Sequence, residues 1–212
     1  MTQVAWALLA VAAMVAAVDW FAVARGNAQL RWFTKPGTIL VLVGVAIALH
    51  PTSNPQRYVF VLALVLSLAG DAVLLIGERG FTAGLAAFLA AHIAFSAGFV
   101  VGGVNRGLLV YGAIAVGLVS LVVGGRVLSG LRQSGSGALS VPVSAYLLAL
   151  AAMVALGAGS GRPPALLGAA LSYASDGLIA WDRFVKPLPW SPLPVIVTYH
   201  IGQALLVLSL AS

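Results

Sequence analysis

Two carboxylates are the groups in this chain best placed to do acid–base chemistry. Asp71 and Asp176 each lie inside an apolar stretch, and each closes a similar run, Ser67-Leu-Ala-Gly-Asp71 and Ser172-Tyr-Ala-Ser-Asp176. A charged side chain in hydrocarbon is disfavoured by about 2.5–3.5 kcal/mol on insertion scales. Two of them are not kept for stability, so function is expected there. Burial in apolar surroundings favours the protonated form of a carboxyl. Two carboxyls that meet can then divide the work, one as acid and one as anion. The bland alternative is a polar contact between packed helices.

The elements that must position these groups are membrane helices. Of the 212 residues, 61% are hydrophobic and 8% charged, with a mean hydropathy of +1.07. That composition belongs to a multi-span membrane protein and excludes a soluble domain. The net charge of +6 comes from basic residues scattered through short loops, which suits a bilayer and not nucleic acid. Without cysteine there is no disulfide, thiol nucleophile or thiolate metal site. The N-terminal Met-Thr-Gln-Val-Ala-Trp has no basic region and reads as a retained first helix. Loop chemistry divides the chain into eight spans, at 4–24, 36–50, 57–76, 82–102, 107–124, 138–158, 164–181 and 193–211. Among the breaks between them is a Ser/Gly run at 134–137. The expected fold is therefore an all-α polytopic bundle of eight transmembrane helices forming one integral membrane domain over residues 1–212. The odd-numbered loops hold eight Lys or Arg residues (Arg25, Arg31, Lys35, Arg79, Arg126, Arg132, Arg183, Lys186) and the even-numbered loops three. That bias places the odd loops in the cytoplasm.

This map gathers the polar side chains at one depth. Asp71 and Asp176 approach the cytoplasmic ends of spans 3 and 7, and Lys35 opens span 2 there. Tyr199, His200 and Gln203 stand in the first turns of span 8, and only His92 lies deeper. Asp19 could complete the cluster or simply meet Arg25 or Arg31 at the interface. Tyr199 and Gln203 are one turn apart and share a helix face. Each of these side chains also has a bland reading: His92 as a helix–helix hydrogen bond, the Tyr199/Gln203 pair as an ordinary polar rim.

A weak internal repeat is visible. The two aspartates are 105 residues apart, and Thr34-Lys35-Pro36 is matched 106 residues later by Ser140-Val141-Pro142. Two parallel four-helix repeats, 1–106 and 107–212, would bring the aspartates to equivalent positions at one depth.

These residues resemble the YhhN family, the lysoplasmalogenase family of membrane hydrolases. The matching pieces are Lys35-Pro36, Ser67-Leu-Ala-Gly-Asp71-Ala-Val-Leu-Leu75, Phe81…Gly84…Phe88…Ala91-His92, Ser175-Asp176-Gly-Leu-Ile…Phe184, and Tyr199…Gln203, in the family's order. The family usually has tyrosine where His200 and Phe95 stand here. The resemblance implies hydrolysis of the vinyl ether bond of a lysoplasmalogen, giving a fatty aldehyde and a glycerophospho-base, with no metal and no cofactor. Asp71 and Asp176 would be catalytic, and Lys35, His92, Tyr199 and Gln203 would bind substrate. Protonation of the vinyl carbon leaves an oxocarbenium ion, a cation that glycosidases also manage with two carboxyls. Lys35 could pair with one aspartate, bind the substrate phosphate, or only anchor the helix by snorkelling. A lysophospholipid substrate and a bacterial inner membrane are expected, and the oligomeric state is not legible. The rival readings are a proton-coupled transporter using the aspartates as a relay, a metal hydrolase using His92, His200 and the aspartates, and a non-catalytic membrane protein.

Overall fold

The computed structural model describes residues 1–135 and 137–211, so Ser136, in the Ser/Gly break, lies outside the described residues. Among the described residues the chain forms eight α-helices and no strand. They are α1 (Gln3–Ala24), α2 (Ala28–Ala48), α3 (Asn54–Leu74), α4 (Phe81–Gly102), α5 (Arg106–Gln133), α6 (Ser140–Gly159), α7 (Pro163–Phe184) and α8 (Pro192–Leu208). Short 3-10 turns precede α4 and α6, at Gly77–Gly80 and Gly137–Leu139. The first six helices are long and apolar enough to cross a membrane. The α7 helix is 22 residues long, and α8 is a shorter apolar helix of 17. The chain is an integral membrane protein with a helix-bundle fold.

Local sequence explains the helix starts. Thr2, Asn27, Ser53 and Asn105 each accept, on the side-chain oxygen, the backbone N–H three residues on, which satisfies a donor the helix itself leaves unpaired. Proline in the first turn opens α3, α7 and α8, where its missing N–H does no harm.

Two boundaries differ from the expected spans. The α2 helix starts at Ala28 and runs through Pro36, which had marked the expected start at 36. The Asn27 cap begins the helix eight residues before Lys35, so Arg31 and Lys35 belong to the helix and not to a loop. An interior proline deletes one backbone hydrogen bond and typically costs about 3 kcal/mol. Partners made by the flanking residues Thr34 and Lys35 on α1 and α3 offset it. The α5 helix continues to Gln133, past the expected end at 124. Its last turns carry Val127 and Leu131, which are fully buried with Val143 and Leu147 of α6 in a small separate core. That burial holds the extension, although Arg126 and Arg132 lie on it.

Each helix packs first against its sequence neighbour, in the hairpins α1–α2, α3–α4, α5–α6 and α7–α8. Between hairpins, α2 meets α8 and α4 meets α6. Polar contacts tie α3 to α7 near both ends. The Arg162 guanidinium at the start of α7 donates to Gln56 Oε1 near the start of α3 (3.0 Å). At the other end, Arg183 in the last turn of α7 pairs with Glu78 just after α3 (3.0 and 2.6 Å). The two helices therefore run in the same direction. Asp71 and Asp176 each lie seven residues before their member of the second tie, in the halves of α3 and α7 nearer that tie.

Close backbone approach holds the α7–α8 hairpin. A Cβ on Gly168 would stand 2.9 Å from the Gly202 carbonyl oxygen and 2.8 Å from the Leu206 nitrogen. Gly168→Ala is expected to destabilise the protein by about 1–3 kcal/mol, the usual range for overpacking. A lowered apparent melting temperature in detergent checks this; an unchanged one contradicts the contact.

Candidate active site

Asp71 lies three residues before the end of α3 and is fully buried. Lys35 on α2 places Nζ 3.0 Å from Asp71 Oδ1, and the Tyr199 hydroxyl on α8 donates to Asp71 Oδ2 at 2.8 Å. The Lys35 ammonium also sits 5.9 Å from the Tyr199 ring centroid, within cation–π range. Three helices thus converge on one carboxylate. Lys35 is itself buried, with a side chain 11% exposed.

Asp176 on α7 has a different environment. The Tyr146 hydroxyl on α6 donates to Asp176 Oδ2 at 2.5 Å. His92 on α4 brings Nε2 within 3.0 Å of the same oxygen and 3.1 Å of the hydroxyl. With Tyr146 donating to the carboxyl, a proton on His92 Nε2 satisfies both contacts, while Nδ1 has no hydrogen-bond partner. Unlike Asp71, Asp176 keeps 12% of its side chain exposed, and no Lys or Arg pairs with it among the described residues. Phe88 links the two sets: its ring stacks on His92 (centroids 6.4 Å apart) and meets Tyr199 edge-on at 5.8 Å.

Both aspartates line one pocket of about 720 Å³, counted out to its mouth. Lys35, Tyr146, Ser175 and Tyr199 share its polar surface, and the walls are apolar side chains of α4, α6, α7 and α8 such as Leu85, Leu147 and Ile179. Phe81, the first residue of α4, and Phe184, the last of α7, also line it, so the pocket reaches the loop end of the bundle. A greasy pocket with a few converging polar groups is the usual form of a small-ligand site. Its polar end can hold and transfer a proton, and its walls can take an apolar chain.

The pocket leaves out some of the expected polar residues. Gln203 is buried, is not among the lining residues, and neither its Nε2 nor its Oε1 has a hydrogen-bond partner. It lies four residues, about 6 Å of helix rise, beyond Tyr199 and so farther from the loops. His92 reaches the site through Asp176 and is not itself a lining residue. Asp19 accepts from the Thr34 hydroxyl (2.6 Å) and lies 3.9 Å from Arg31, the interface partnership that the sequence allowed. His200 accepts at Nδ1 from the Trp20 indole (3.2 Å), away from the aspartates. Among the described residues no group of three or more His, Asp or Glu is arranged to hold a metal ion.

Tyr146 is the residue the sequence did not single out. A lone tyrosine in an apolar run carries no charge that demands explanation. The proposed 106-residue offset would set it against Leu40, so the repeat gives no hint either.

The sequence is similar to several known proteins. Lysoplasmalogenase TMEM86B of Homo sapiens is 36% identical over 184 residues, covering 85% of this chain and 76% of that one. Lysoplasmalogenase TMEM86B of Rattus norvegicus is 37% identical over 147 residues, 69% of this chain and 59% of that one. The lysoplasmalogenase of Mycobacterium bovis is 33% identical over 192 residues, 85% of this chain and 70% of that one. No solved structure matches the chain. The YhhN family model matches residues 30–210, a stretch that contains every polar residue of the pocket, and the chain belongs to the YhhN family.

Proposed function

We propose that this protein is a membrane lysoplasmalogenase: it hydrolyses the alkenyl ether bond of a lysoplasmalogen to a fatty aldehyde and a glycerophospho-base. The observation that carries this reading is the unequal pair of buried carboxyls in one apolar pocket, Asp71 bound to a lysine and Asp176 bound to a tyrosine and a histidine. The names of the relatives support the same reading. They also favour it over a proton relay for transport, for which the same side chains would serve.

The unequal partners support a division of roles. Asp71, neutralised by Lys35, is the anion. Asp176 accepts two contacts on Oδ2, which leaves Oδ1 to carry a proton toward the pocket. That proton goes to the vinyl carbon distal to the ether oxygen. The π electrons form the new C–H bond, and the ether oxygen shares its lone pair with the adjacent carbon as an oxocarbenium ion. Water adds to that carbon and returns a proton to Asp176. The hemiacetal then collapses: its C–O bond to glycerol breaks, the glycerol oxygen takes a proton, and the hydroxyl becomes the aldehyde. The sum is one water consumed. Tyr199 and the Asp71 carboxylate face the cation and orient the water, while the apolar walls exclude bulk solvent.

The polar end of the pocket is proposed to face the cytoplasm, on the side of the basic odd-numbered loops, in a bacterial inner membrane. The single-chain lipid would rest its head there and lay its tail along the apolar wall. The halves 1–106 and 107–212 are proposed to be parallel repeats. Support comes from the matched pairs α2–α8 and α4–α6, and from ties between residues 106 and 105 positions apart, Gln56–Arg162 and Glu78–Arg183.

Purified protein given a 1-alkenyl lysophospholipid tests the reading. Equal amounts of fatty aldehyde and glycerophospho-base are expected. Release of a fatty acid from the 1-acyl analogue with none of the aldehyde would replace this function with another.

A further inference from the structure

The geometry points to Arg183 as the residue that binds the phosphate of the substrate head group, with Glu78 holding its place in the empty protein. This deepens the proposed function and rests on its lysophospholipid substrate. The pocket's one cation, Lys35, is already committed to Asp71. A phosphate that reached it would have to break a buried ion pair. Outside the pocket lies Arg183, whose guanidinium carbon is 3.7 Å from the Phe81 ring centroid and 6.0 Å from that of Phe184. Both rings line the pocket, so the guanidinium is fixed at its mouth.

Its partner is of the right kind. Glu78 presents both carboxylate oxygens to two guanidinium nitrogens, at 3.0 and 2.6 Å. That fork accepts a phosphate in the same way. The Glu78 side chain is 81% exposed against 33% for Arg183, so the pair is a surface one that stabilises the fold little and can open.

The distance also fits. Arg183 is seven residues after Asp176 on α7, which sets it on the same helix face about 10 Å along the axis. Helical side chains lean toward the N-terminus, so the guanidinium tilts back toward Asp176. In the lysolipid, seven bonds separate the vinyl carbon that takes the proton from the phosphorus. Three bonds of an extended chain advance about 3.3–3.6 Å, so seven reach roughly 8 Å. A phosphate on Arg183 therefore sets the vinyl carbon at Asp176 and leaves the tail to the apolar wall.

Binding of two uncleavable ligands tests this: a saturated 1-O-alkyl lysophospholipid, and the 1-O-alkyl glycerol with the same tail and no phosphate. The wild-type protein is expected to prefer the phospholipid at least tenfold. Arg183→Gln should lose that preference and bind the alkyl glycerol unchanged, Arg183→Lys should keep part of it, and Glu78→Gln should bind the phospholipid as tightly as wild type or tighter. The proposal is overturned if Arg183→Gln keeps the preference or if both ligands weaken equally. It is also overturned if inorganic phosphate competes as well as the lysolipid, which would make this a free-phosphate site. A failure of the hydrolase reading itself would show elsewhere, as no aldehyde from the alkenyl lipid, and would leave these binding results standing.

Discussion

Asp176→Asn is expected to lower aldehyde release by 10²-fold or more, within the ~10²–10⁴ range that general acid catalysis contributes, without unfolding the protein. The amide oxygen can take the place of Oδ2 and accept from Tyr146 and His92, so the α4–α6–α7 contact survives. What is lost is the acidic proton that the proposed mechanism gives to carbon. The amide N–H that replaces it is far too weak an acid. Turnover of a 1-alkenyl lysophospholipid, measured beside the apparent melting temperature, separates the two effects. A variant that melts like wild type and keeps more than a tenth of its activity would remove Asp176 from the acid's role.

Lys35→Met is expected to be the most damaging change for stability. Methionine fills much of the lysine's volume but leaves Asp71, fully buried, with Tyr199 alone. Breaking a buried ion pair by removing one partner costs about 3–5 kcal/mol, because the remaining charge is stranded. Adding Asp71→Asn should restore most of the lost melting temperature, since a neutral amide no longer needs the ammonium and can still accept from the Tyr199 hydroxyl. The double variant should remain inactive, because the anion that faces the oxocarbenium ion is gone. A Lys35→Met protein as stable as wild type would mean that the contact with Asp71 contributes little. Recovery of activity in the double variant would mean that Asp71 has no part in the chemistry.

The sequence made the number of helices legible because hydropathy and loop residues mark membrane spans strongly. It made the two aspartates legible because a carboxyl in hydrocarbon is so unfavourable. Lys35 could be read as a partner for one of them, and its ion pair with Asp71 is that geometry. What could not be read was set by three-dimensional packing. Pro36 looks like a helix start, yet the Asn27 cap and the partners of Thr34 and Lys35 carry α2 through it. The end of α5 depends on a small core with α6 that no local signal announces. Tyr146 matters only because α6 brings it against α7. Gln203 shares a face with Tyr199, but the pocket ends at the shallower turn.

The most direct test of the central claim is the fate of the proton. Lysoplasmalogen hydrolysed by the purified protein in heavy water should yield an aldehyde carrying one deuterium on the carbon next to the carbonyl, and turnover should be slowed severalfold because transfer to carbon limits the rate. Aldehyde without that deuterium would contradict proton delivery to the vinyl carbon.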